Sequence, residues 1–141
     1  MKGIVVTASP KSKIIRVELP ETPYEALSVL VGGTASVVHP MGLNRPFCFV
    51  CNDDFFSLGL SLNPVGSYFY GTQHHGHPIY GNIVFLKEER GPEGVYDLVG
   101  LTDQERETMM LELREYFFED WAPRRLPSGD TLVIREEADA T

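Results

Sequence analysis

Two cysteines three residues apart and a cluster of histidines are the side chains best suited to chemistry in this chain. Cys48-Phe49-Val50-Cys51 has the CxxC spacing, and His74, His75 and His77 lie downstream of it. Such a set could hold zinc if a tight knuckle turned both sulfurs toward one metal. The pair sits instead in an apolar run that reads as a strand, where residues three apart face opposite sides. Cysteine in such a run is commonly a small buried hydrophobe. No metal is therefore expected. A redox pair is disfavoured too, because no helix N-terminus follows Cys48 to lower its pKa.

The histidines in a loop could bind a transition metal, act as general acid and base, or contact a phosphate. His75-Gly76-His77 lacks the second histidine motif that a paired-histidine phosphoesterase needs, and His39-Pro40 reads as a strand terminator. There is no Gly-rich phosphate loop, nucleophile elbow or HExxH. The carboxylates fall on the second helix or in charged loops, and nothing pairs two of them in an apolar pocket for acid–base work on sugars. No catalytic residue and no cofactor is assigned, and a non-enzymatic role leads. A small hydrolase or nucleotide-binding protein using the His74–His77 loop is the alternative.

A binding role rests on the stretch from Asn63 to Pro78. It shows no period, contains Gly66, Gly71, Gly76 and Pro78, and reads as a long loop with room for a short strand at Tyr68–Tyr70. Long irregular loops run over the surface, since a core cannot satisfy their backbone groups. This one carries Tyr68, Phe69, Tyr70 and three histidines but no Lys, Arg, Asp or Glu. Recognition surfaces favour aromatics and are depleted of charge. Tyr68, Tyr70, His74, His75 and His77 are therefore the candidate binding residues, for a protein partner, a second copy of the chain or a small ligand. The competing reading has Tyr68–Tyr70 fold inward to finish the core, with the histidines merely solvated.

Charge narrows the partners. The 141 residues carry a formal charge of −8, which argues against direct binding to a nucleic-acid backbone. Residues 1–47 carry +2, residues 48–86 carry −2 with only Asp53 and Asp54 charged, and residues 87–141 carry −8. The central stretch also holds eight of the fifteen aromatics, so it reads as the core of a sheet. No run approaches the ~18 uncharged apolar residues of a membrane span. Met1 to Val6 has no secretory pattern, so a cytoplasmic setting with reduced thiols is expected. Seven acids against two bases over Asp103–Asp120 admit one more reading, a DNA mimic or ligand sponge that interferes with a host pathway. Most such faces are only solvated surface.

The elements that must position these groups follow from local pattern. Gly3–Thr7 and Lys13–Val17 read as a hairpin with a loop of about five residues. Thr22-Pro23-Tyr24-Glu25 reads as a capping box opening a helix with Tyr24, Leu27, Leu30 and Val31 on its apolar face, and Gly32-Gly33 closes it. Thr34–Val38 is a strand, and Phe47–Asn52, apolar on both faces, is a central one. Ile79–Leu86 reads as the last core strand, and Glu88–Gly94 reads as an exposed connection. Thr102 with Glu105 is a second capping box, opening a helix whose stripe of Met109, Met110, Leu113, Tyr116 and Phe117 faces the core. Asp130–Arg135 reads as an edge strand and Glu136–Thr141 as an acidic tail, leaving 1–135 as one domain. The fold expected is α+β: a mainly antiparallel sheet of five or six strands with two helices packed on one face.

The series Val31-Gly32-Gly33, then Phe49-Val50-Cys51-Asn52-Asp53-Asp54, Leu58-Gly59-Leu60-Ser61-Leu62-Asn63 and Ile79-Tyr80-Gly81-Asn82-Ile83-Val84-Phe85-Leu86 resembles domain-of-unknown-function family 3846. The likeness covers roughly residues 1–120 and departs from the family's pattern at Gln73–Pro78. It implies the same α+β order of elements, and a small cytoplasmic protein of bacteria, phages or mobile elements. It implies no activity.

Overall fold

The structure is a computed structural model that describes residues 1–8, 12–39, 43, 46–53, 59–71, 78–117, 124–125, 131–132 and 134–136. The elements run β1 (Lys2–Val6), β2 (Ser12–Glu18), α1 (Tyr24–Val31), β3 (Ala35–Val38), β4 (Phe47–Asn52), α2 (Pro64–Tyr70), β5 (Ile83–Arg90), β6 (Tyr96–Val99) and α3 (Asp103–Phe117). Three short strands follow: β7 (Arg124–Arg125), β8 (Thr131–Leu132) and β9 (Ile134–Glu136).

The main sheet has the order β3-β4-β5-β1-β2-β9, with β6 also paired to β5. β1 to β6 pair antiparallel, and β9 adds to β2 in parallel. β7 and β8 form a separate two-residue ladder. The α+β class and the mainly antiparallel sheet follow the sequence reading.

Side chains alternate between the two faces of a strand, and here both faces are covered. Ile4, Val6, Phe49, Cys51, Ile83 and Phe85 enter one core with Val65 and Phe69 of α2 and Met109, Met110 and Leu113 of α3. Val5, Cys48, Val50, Val84 and Leu86 enter a second core with Leu27 and Val31 of α1. Among the described residues three helices are present rather than two. A pair does share one face, but the pair is α2 and α3; α1 covers the opposite face.

Three local differences from the sequence reading have physical reasons. Thr22 does not cap α1: Pro23 takes the cap position in a helical conformation without a side-chain cap, and α1 starts at Tyr24, which stays exposed. The C-terminal end is as expected, with Gly32 at φ +82 and the Gly32 and Gly33 N–H groups both donating to the Ser28 carbonyl. Glu88–Gly94 is not a free connection. β5 continues to Arg90, turns through residues 91–95 and returns as β6, with the Gly91 N–H donating to the Val95 carbonyl across the turn. The segment after Asn63 is no irregular loop over its first half, because α2 occupies it.

The second capping box is present: the Glu105 carboxylate accepts from the Thr102 N–H at 2.8 Å, and Thr102 Oγ1 accepts from the Glu105 N–H at 3.1 Å. α3 is then tied to the sheet by ion pairs. Asp103 pairs with Lys2, Glu105 with Lys87 at 2.7 Å, and Glu107 takes a bidentate fork from Arg16 at 2.7 Å for both bonds.

Candidate functional site

α2 organises the region that the sequence marks for binding. Asn63 is its N-cap, accepting from the Gly66 N–H at 2.9 Å, and Pro64 supplies a preset φ at the first helical position. The Asn63 amide also donates to the Val6 carbonyl at 3.0 Å and the Gly81 carbonyl at 2.9 Å, joining the helix start to β1 and to the turn before β5. Ser67 accepts from the Ile79 N–H at 2.9 Å. A Cβ on Gly66 would lie 3.0 Å from Ile79 Cγ2, so glycine lets the helix press onto the sheet. Phe69 completes the seat, edge-on to Phe85 with ring centroids 5.6 Å apart.

Tyr68 and Tyr70, two of the five candidate binding residues, end this helix. Both are half-buried, packing one side against the core shared by α2 and α3. They lie between the two sequence readings, neither fully displayed nor absorbed. His74, His75 and His77 lie outside the described residues.

Tyr70 and Ile79 line a cleft of about 150 Å³. Ser36 and Val38 of β3 line it too, with Cys51, Asn52 and the exposed Asp53. A second cleft of about 370 Å³ lies where α3 passes the start of β4, with Leu43, Phe47 and Met109 as apolar lining and Gln104, Thr108 and Glu112 along the helix.

The cysteines do not converge. Cys48 belongs to the α1 core and Cys51 to the α2–α3 core, as a strand's alternation requires. Burial pushes the Cys48 thiol up to about 12, with the Glu88 charge adding to it, and pushes Cys51 up to about 11, with Asp53 adding. Both are neutral thiols at physiological pH and unsuited to nucleophilic or metal chemistry. Among the described residues, no group of three or more His, Cys, Asp or Glu side chains could hold a metal ion.

His39, read from sequence as a strand terminator, has a role of its own. Its Nε2 lies 2.5 Å from Oε1 of Glu88, whose side chain is 12% exposed. Glu88 was not a candidate from sequence; its position two residues past a fully apolar strand segment was the available signal. Ser36, Asn52 and Asp53 were also missed as cleft residues, because only the β3–β4 pairing sets them beside the end of α2.

The acidic stretch is partly neutralised. Three of its seven acids, Asp103, Glu105 and Glu107, pair with cations of the sheet. Bonding to Lys2, Lys87 and Arg16 respectively, together with the charges of those cations, holds their carboxyls below the usual carboxylate range.

The residues of the glycine and asparagine motifs are structural. Asn52 donates to the Val31 carbonyl and Asn82 to the Leu30 carbonyl, both at 3.1 Å, satisfying the C-terminal end of α1. The Ala8 N–H donates to Asn82 Oδ1 at 3.1 Å. With Asn63, these amides stitch both helix-bearing faces to one end of the sheet. This is an α+β domain whose polar interior serves architecture. The chain belongs to the family described as domain of unknown function DUF3846, which matches residues 1–115. No curated protein and no solved structure matches the chain significantly. Among the described residues, no helix is long and apolar enough to cross a membrane.

Proposed function

We propose that this protein is a non-enzymatic interaction domain, acting in the cytoplasm by contact through the flank formed by the end of α2. The observation that carries this reading is the half-buried pair Tyr68 and Tyr70 on a firmly seated helix, with Tyr70 lining a cleft. Tyrosine offers a broad apolar face with a hydroxyl for a partner, and a seated helix presents it with little ordering cost. The neutral, divergent thiols and the ion-paired carboxylates of α3 fit the same reading. His74, His75 and His77 extend the proposed surface in sequence.

A photo-crosslinking phenylalanine derivative placed at position 68 or 70 tests it in cells that express the chain. A defined adduct from these positions is expected, and none from the same group at exposed position 29 on α1. Equal labelling from all three positions, or labelling from position 29 alone, would refute the surface. The cleft of about 370 Å³ beside Met109 is of small-ligand size and supports a second reading, a domain that holds a small molecule there.

A further inference from the structure

The open edge of β3 and the cleft beside it form one groove, and we infer that it receives an extended peptide of another protein by strand addition. The inference rests on the contact reading above and names the partner's form. β3 ends the sheet order, and among the described residues no strand pairs with its outer side. Its register with β4 sets Ser36 against Cys51 and Val38 against Phe49. The Asp53 N–H donates to the Thr34 carbonyl at 2.8 Å, which makes Thr34–Asp53 a hydrogen-bonded pair. Such pairs alternate along an antiparallel ladder, so Ser36 and Val38 bond to β4. The backbone groups of Ala35 and Val37 therefore turn outward.

Among the described residues, the edge carries little protection beyond its shortness. Ala35-Ser36-Val37-Val38 carries no charge and no proline, the devices that normally keep another strand away. The opposite side of the sheet, at β2, is covered over Ser12–Ile14 by the chain's own β9. Beside β3, Ser36 and Val38 line the same cleft as Tyr70. A strand added to β3 would alternate its side chains and direct every second one toward that space. The size of the cleft decides what enters: about 150 Å³ is half the smallest pocket that holds a drug-sized ligand, and it suits a single side chain. Main-chain bonds to an edge with a pocket for alternate side chains are the elements of strand-addition recognition.

Charge selects the peptide. Asp53 lines the cleft and is exposed, no Lys or Arg lines it among the described residues, and the chain carries −8. The partner is therefore an extended segment with an aliphatic residue for the cleft and Lys or Arg beside it.

Short peptides displayed on phage, panned against the purified full chain, provide the probe; each selected sequence is synthesised and bound in solution. Sequences pairing Val, Ile or Leu with a basic residue are expected. Binding should slow amide exchange at Ala35 and Val37 by about tenfold or more, as a newly bonded edge would. Val37→Pro removes one outward N–H without touching the bonds to β4 and should abolish binding, while Val37→Thr, which keeps the N–H, should retain it. Asp53→Lys changes only an exposed side chain and should weaken basic peptides about tenfold, so the test survives if Val37→Pro fails to fold. Failure to select any peptide would overturn the inference, as would unchanged binding by Val37→Pro and Asp53→Lys. Protection confined to residues 65–71 would overturn strand addition and leave the contact reading standing. A dimer of the chain that Val37→Pro dissociates would also overturn it, by giving the edge to a second copy.

Discussion

Replacing Asn63 by Ala should be among the most damaging single changes outside the apolar core. Asn63 is fully buried and uses its side chain three times: as acceptor from Gly66, and as donor to Val6 and to Gly81. Loss of an N-cap costs about 1 kcal/mol. Each buried carbonyl left short of a partner adds about 1 kcal/mol or more. The sum is about 3–4 kcal/mol, which for a chain of this size lowers Tm by roughly 12–16 °C. Denaturant melts with unchanged slope would read this as lost stability.

Asn63→Asp separates the roles. It keeps the cap acceptor but turns a carboxylate toward two carbonyl oxygens, which raises its pKa in the folded state. A raised folded pKa gives stability present at low pH and lost as pH rises, so this variant should recover between about pH 7 and pH 4. A loss below about 1 kcal/mol for Asn63→Ala, or an Asn63→Asp variant indifferent to pH, would refute the reasoning.

Gly66→Ala should destabilise by about 1–3 kcal/mol in denaturant melts, although alanine is the better helix former by about 1 kcal/mol, because the new Cβ meets Ile79 and Ile83. Neither Cys48 nor Cys51 should react with an aromatic disulfide reagent at pH 8 until the protein is unfolded, and cobalt should produce no thiolate absorption band. The lowered carboxyls of Asp103, Glu105 and Glu107 contribute stability that is present above their unfolded values and lost as pH falls through the folded ones. Acid melts should show that loss below about pH 4.5, and high salt should reduce it, as expected for exposed pairs.

The strands were legible where hydrophobic alternation was strong. Phe47–Asn52 reads as a central strand because both its faces are apolar, and Ile79–Leu86 reads as a core strand, of which Ile83–Leu86 lies in β5. β6 was not legible, since Tyr96 and Asp97 are exposed and its pairing is a tertiary fact. α2 was missed for a local reason. Asn63-Pro64 can open a turn or cap a helix, and the aromatic run after it has no helical period because almost every side of this short helix is buried. The opposite placement of α1 and α3 was also hidden, since a sheet apolar on both faces does not say which helix takes which. Of the candidate site, sequence supplied Tyr68 and Tyr70. Their neighbours Ser36, Asn52 and Asp53 are brought in by register, which composition does not encode.

The parallel seat of β9 on β2 bears on how the chain is made. β2 leaves the ribosome more than a hundred residues before Ile134, and at about 5–20 residues per second its edge waits roughly 6–23 s for its cover. During that interval Ser12–Glu18 is a strand with an unpaired side. Lys13, Arg16 and Glu18, the charges it carries, are the kind that discourage a neighbouring nascent chain from pairing there. A strand made late thus covers part of one made early, and a chain released before residue 134 would leave those charges as the guard on that edge.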